Sequence, residues 1–151
     1  MDTRDDLLKP SLGQGDSPAN SIYSARTGYL ASFFGGPLGG AIVALANAYR
    51  LKRLKIDWPI GLLGFAVTIG PMWWWMRGGA HWAAAYGGRD AAQVGFRVGG
   101  LGFFAVVYAW HRRYYRNMDL FGIKPPEGTL IGFVAVVAAL AMEAAIVAAL
   151  S

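Results

Sequence analysis

The sequence predicts an all-α integral membrane protein, a four-helix bundle behind a disordered N-terminal tail. The first observation behind this is composition. Of the 151 residues, 55% are hydrophobic and 15% charged, against roughly 25% charged in an average soluble domain. The second is patterning. Four apolar windows run over 29–49, 58–75, 91–110 and 130–150. At about 1.5 Å per residue, helices of that length reach roughly 27 to 32 Å, the thickness of a hydrocarbon core. The third is that the windows are continuous rather than alternating, which excludes a transmembrane barrel. Inside a bilayer only helices satisfy the backbone of such runs.

Residues 1–26, MDTRDDLLKPSLGQGDSPANSIYSAR, are rich in Pro, Gly, Ser, Asp and Asn and poor in large apolar side chains. They are predicted to form a flexible polar tail, not a secretory signal, ahead of one transmembrane domain over 27–151. Aromatic residues mark the window edges: Tyr29 and Tyr49 for the first; Trp58 and the run Trp73, Trp74, Trp75 for the second; Tyr108, Trp110, Tyr114 and Tyr115 after the third. These read as interfacial anchors, the tryptophan run having an aromatic ligand site as its second reading. The third window opens with Gln93 and Arg97 among Gly-Gly pairs, and 76–90 reads as a loop.

The net charge of +5 comes from cations gathered at the window ends, a placement that suits lipid headgroups better than nucleic acid. The run HRRYYRN reads as a headgroup anchor for the same reason. Arg50, Lys52, Arg53 and Lys55 flank the first connection and Arg112, Arg113, Arg116 and Lys124 the third, against Arg4, Lys9 and Arg26 in the tail and Arg77 and Arg89 in the middle connection. The positive-inside rule then puts the first and third connections in the cytoplasm and both termini on the periplasmic side.

In the first window Ser32, Gly36, Gly40 and Ala44 recur every four residues, and Gly35 and Gly39 form a second small pair beside them. Such faces let helices approach closely. Pro37 should bend this helix. The packing partner is either the rest of the bundle or another protein, and a broken-helix ligand site is the third reading. Gly95 and Gly99 give the third window a similar notch. Two ionisable residues lie within apolar windows, Arg97 and Glu143. A charge there costs a few kcal/mol unless paired or hydrated. Their depths in antiparallel helices match, so they are expected to pair or to share a polar pocket. Asn47, on the face of Gly40 near the end of the first window, has a hydrogen bond to a partner helix as one reading and a helix cap as the favoured one.

There is no cysteine, hence no thiolate site and no disulfide. His81 and His111 bracket the third window and should lie at opposite faces, so they cannot share a haem or a metal. No HExxH, GxSxG or P-loop spacing occurs, and no cofactor is expected.

The stretch 23–50, with Tyr23, Ser24, Phe34, Gly35, Gly36, Pro37, Leu38, Asn47, Tyr49 and Arg50, resembles the opening span of a group of small bacterial multi-pass membrane proteins of uncharacterised function. The resemblance implies a bacterial inner membrane and brings no activity with it. Composition and motifs together predict a non-catalytic accessory or structural subunit, with the lipid bilayer and other transmembrane helices as partners. A small oligomeric transporter or channel with Arg97 and Glu143 on its path is the second reading. A membrane-embedded enzyme is third, since the sequence has no cluster of His, Asp and Glu of the kind lipid chemistry calls for.

Overall fold

The computed structural model describes residues 22–74, 77, 88–120 and 124–150. The tail up to residue 21 and the loop around His81 lie outside the described residues. Those described are all helical, without a strand: α1 (Ala25–Arg50), α2 (Leu54–Trp74), α3 (Gly88–Trp110), α4 (Arg112–Leu120) and α5 (Thr129–Leu150). Four of these cover the four expected windows, and α4 is additional.

The first window does not form one straight helix. Gly35 (φ −106°, ψ 16°) and Gly36 (φ 59°, ψ −160°) leave helical geometry in the middle of α1. The Tyr23 amide lies 2.7 Å from Asn47 Oδ1, and the Arg50 guanidinium lies 4.5 Å from the centre of the Tyr23 ring. In a straight helix, 24 positions at about 1.5 Å each would hold Tyr23 and Asn47 some 36 Å apart. The chain therefore turns back on itself at Gly35–Gly36. Residues 25–34 and 37–50 are the two arms of a helical hairpin.

Local chemistry explains each part of it. Ser24 caps the first arm, its hydroxyl accepting from the Thr27 amide at 3.2 Å. The φ of Gly36 is one that side chains rarely tolerate. Pro37, whose missing N–H costs nothing at a first helical position, starts the second arm. That arm ends in a Schellman motif in which the Arg53 amide donates to the Ala48 carbonyl at 2.8 Å and the Lys52 amide to the Tyr49 carbonyl at 3.0 Å. Lys52 holds its left-handed position, φ 55°.

The hairpin is the centre of the molecule, and α2, α3 and α5 pack chiefly on it rather than on one another. The close contacts give the directions. Gly28 meets the Phe104 ring, Gly100 the Ser32 carbonyl and Gly36 the Phe96 ring, so the first arm runs antiparallel to α3. Gly61 faces Leu45 and Gly64 faces Ala41, so the second arm runs antiparallel to α2. Gly128 and Gly132 lie against Thr27 and Gly35 against Ala139, so α5 runs parallel to the first arm. The hairpin base, the α1–α2 turn, α4 and the start of α5 thus share one end of the molecule. Ile22, the first described residue, lies at that end and α5 finishes at the other, whereas four antiparallel spans would put the start of the first and the end of the fourth on one side.

The packing is inverted relative to a water-soluble core. Many buried positions are small or polar, among them Ala31, Ser32, Ala41, Ala44, Asn47, Thr68, Ala135 and Ala139, beside the large Ile22, Leu38, Val43, Phe103, Phe104, Val107, Tyr115 and Met118. The outer faces carry exposed Leu62, Phe65, Val98, Val106, Leu130 and Phe133. In α5 only Ala135 and Ala139 are fully buried among the described residues.

Two stretches among the described residues, Ala25–Arg50 and Thr129–Ile146, are long and apolar enough by length and composition to cross a membrane. The first is folded in two, and its arms of about 15 and 21 Å fall short of a hydrocarbon core. The length of α2 and α3 suffices, but Trp, Gly and Pro in the one and Asp90, Gln93 and Arg97 in the other lower their apolarity. The expected four-helix bundle is, in geometry, three long helices around a helical hairpin.

Candidate functional site at the hairpin base

Two polar groupings meet where the arms of the hairpin close. Asn47, fully buried on the second arm, accepts from the Tyr23 amide and donates through Nδ2 to the Tyr23 carbonyl at 3.4 Å and the Tyr115 hydroxyl at 3.3 Å. It does not cap its own helix, as its place near the end of the window suggested, but fastens the hairpin shut and ties α4 to it. Tyr115 packs with Ile22 and Met118. Burial pushes its phenol up to about 12, and the hydrogen bond from Asn47 offsets part of that rise.

Beside this lies a buried acid. Asp57, in the first turn of α2 where the helix dipole favours a negative charge, is 1% exposed. Its Oδ2 is 3.2 Å from His111 Nε2 and 3.8 Å from Arg53 Nε. His111, 4% exposed, occupies the break between α3 and α4. Arg53 donates through Nη1 to the Tyr114 hydroxyl. Asp57 Oδ1 and Arg53 Nε are buried without a hydrogen-bond partner. The grouping joins the start of α2, the end of α3 and the start of α4, three segments that otherwise pack mainly on the hairpin or on their chain neighbours. It brings a buried carboxyl and a buried imidazole into contact, with the partly exposed Arg53 guanidinium at their edge. No group of three or more His, Cys, Asp and Glu able to hold a metal occurs among the described residues.

The other site residues expected from sequence divide. Ser32, Gly35, Gly36, Pro37, Gly39, Gly40 and Ala44 are all buried and are used inside the molecule. Gly39 lies against the Ala31 carbonyl and Gly40 against Ser32 Oγ, the two arms of the hairpin touching each other. Gly95 and Gly99 are different: both are exposed, and a side chain at either would meet open space. The contact face of α3 is Phe96, Gly100, Phe103, Phe104 and Val107 instead.

Arg97 and Glu143 are not paired. Arg97 is exposed and lies 5.4 Å from the centre of the Phe33 ring. Glu143 is half-buried, one turn beyond the Ala139 that meets the hairpin tip, and its Oε1 has no hydrogen-bond partner. The residues that do form a polar constellation, Asp57 and His111, stand one position outside the apolar windows 58–75 and 91–110. A search confined to charges within windows passes over both. Spacing offered one signal, Arg53 four residues before Asp57, which places both on one helical face. Comparison of the chain with protein-family models, with curated proteins and with solved structures gave no match.

Proposed function

We propose that this chain is a multi-pass membrane protein in which α2, α3 and α5 cross the bilayer around a re-entrant helical hairpin, acting as a non-catalytic accessory or structural subunit. The observation that carries the membrane reading is the large set of exposed Leu, Val, Phe and Trp on the outer faces, over an interior in which small and polar residues outnumber large ones, since lipid offers no penalty to apolar side chains and favours small residues between helices. Non-helical backbone such as Gly35–Gly36 is tolerated at membrane depth only when protein encloses it, and both glycines are buried.

Orientation follows from the hairpin. Among the described residues, Arg26, Arg50, Lys52, Arg53, Lys55, Arg112, Arg113, Arg116 and Lys124 belong to the hairpin-base end, and Arg77 and Arg89 flank the other. The positive-inside rule makes the base cytoplasmic. The start of the hairpin at Ile22 then lies on the cytoplasmic side and the end of α5 on the periplasmic side of a bacterial inner membrane. The subunit reading is supported by α3, whose Gly95, Gly99, Gly102, Ala105 and Ala109 are exposed along the helix, a strip on which a helix of another chain fits closely. The transporter reading that routes a solute past Arg97 and Glu143 has less support, because the two side chains are not joined. The test is solubilisation of tagged protein from its native membrane in mild detergent, followed by native mass analysis. A stoichiometric larger assembly is expected; a protein that leaves the membrane alone, as a monomer or closed homo-oligomer, overturns the subunit reading.

A further inference from the structure

Among the described residues, the ion pairs at the hairpin-base end are those of Asp57, and most of the cations there have no carboxylate partner. α4 is amphipathic: Tyr115 and Met118 are buried against Ile22, and Arg112, Arg113 and Arg116 are exposed. At 100° per residue these three arginines fall within about 100° of the helix circumference. Among the described residues the ion pairs are those of Asp57 with Arg53 and His111, so none of the three is paired with a carboxylate. Asp119, exposed on the same face one turn after Arg116, is the one carboxylate of α4 and forms no ion pair with them, so three like charges face it and repel unless a further anion lies between them. Lys52 and Lys55, exposed on the neighbouring turn, add to the same field. Lys52 does so from a left-handed backbone position, φ 55°, where glycine would be less strained.

The level of this patch along the helices identifies its partner. Tyr49, Trp58 and Trp110 are 73%, 54% and 68% exposed at the same end, the arrangement of an aromatic belt at the height of lipid headgroups. We infer that Arg112, Arg113 and Arg116, assisted by Lys52 and Lys55, form a binding surface for the phosphates of anionic phospholipids, with α4 lying in the interface as the docking element. The inference rests on the membrane reading. It adds a lipid class and a location: anionic headgroups on the cytoplasmic leaflet, gripped by α4 rather than by the whole cationic end.

The experiment uses the full chain in neutral detergent micelles doped with brominated phosphatidylglycerol or brominated phosphatidylcholine, with tryptophan quenching as the readout. The expected result is a preference for the anionic lipid of roughly tenfold at low salt, shrinking as salt is added. R112Q/R113Q/R116Q should remove most of that preference with helical content by circular dichroism unchanged. K52Q/K55Q should remove part of it, and R77Q at the opposite end none. Equal quenching by both lipids in the parent, or a preference that survives in the triple arginine variant, overturns the inference. So does nuclease-sensitive RNA that copurifies with the parent and not with that variant, which would assign the patch to nucleic acid. Failure of the membrane reading looks different: the protein stays in solution without detergent, does not float with vesicles, and neither brominated lipid quenches it.

Discussion

The side chain of Asn47 accepts a hydrogen bond from the backbone amide of Tyr23 across 2.7 Å, although 24 positions separate the two in sequence. That contact closes the base of the hairpin whose reversal lies at Gly35 and Gly36, in a stretch long enough as a straight helix to span a bilayer. It also decides which end of the chain shares a face with the cationic connections. Much of the proposed topology follows from it.

The hairpin depends on Gly36, whose φ of 59° and contact with the Phe96 ring leave no room for a side chain. Gly36→Ala is expected to destabilise the protein by about 2 to 4 kcal/mol, from backbone strain and overpacking together. Gly99→Ala, where open space surrounds the added methyl, should be nearly neutral. Thermal unfolding in detergent measures both. Equal effects at the two positions would mean that the reversal at Gly35–Gly36 is not a feature of the folded protein.

The sequence disclosed the presence of α2, α3 and α5 and the edges of α5, because window hydropathy tracks helix length, but α2 and α3 begin at Leu54 and Gly88, before their apolar windows, where polar residues extend the helices. It did not disclose the reversal in α1, since Gly35, Gly36 and Pro37 are apolar or neutral and count toward a span whichever way the chain runs. The available signal was the order Gly-Gly-Pro, a left-handed position followed by a residue suited to a first helical turn. The Gly faces of the first window were legible as packing surfaces. Those of the third were one position out of register: Gly100 touches the hairpin, and Gly95 and Gly99 do not. α4 was not legible as a helix, because a polar stretch shows no apolar periodicity.

Asp57 and His111 should behave as one unit. His111→Ala leaves a carboxylate that is 1% exposed with Arg53 as its remaining partner, and should cost about 2 to 4 kcal/mol. Asp57→Asn combined with His111→Ala should cost less than the sum of the two single changes, by 1 kcal/mol or so. A double-mutant cycle on unfolding in detergent gives the coupling. Additive effects would show that the 3.2 Å contact contributes nothing to the fold.

The opposite outcome is expected for Arg97 and Glu143. Arg97 lies over Phe33, and Glu143 makes no hydrogen bond through Oε1, so Arg97→Gln and Glu143→Gln should be additive to within about 0.5 kcal/mol. Coupling well above that value in the same cycle would restore the ion pair that matched depth suggested.

Tyr115 gives the protein a dependence on alkaline pH. Its phenol is raised from about 10 to about 12 by burial, so the folded state holds the proton where the unfolded chain releases it. A raised value of this kind contributes stability that is fully present below pH 10 and is lost as pH climbs from about 10 to 12. Stability against pH, compared between the parent and Tyr115→Phe, should diverge only in that interval, the parent falling and the variant falling less. Parallel curves between pH 9 and 12, or a Tyr115 phenolate that appears with exposed tyrosines near pH 10, would contradict the burial that Asn47 and Met118 impose.

The absence of cysteine from the sequence allows the proposed topology to be tested with single-cysteine reporters and an impermeant maleimide on intact cells and inverted vesicles. Reporters replacing Ser24, Lys52 and Lys124 should label from the cytoplasmic side, since the base of the hairpin, the α1–α2 turn and the connection before α5 share one end. Reporters at Arg77 and after Leu150 should label from the periplasmic side. The decisive comparison is Ser24 with Lys52. A first helix that crossed the bilayer would separate them, placing Ser24 on the periplasmic side with the end of α5, whereas the hairpin keeps them together. If Ser24 and Lys52 label from opposite sides, the chain has four crossings and the hairpin does not exist in the membrane. If they label from the same side and the reporter after Leu150 from the other, three helices cross, and the cationic end faces the leaflet proposed to bind it.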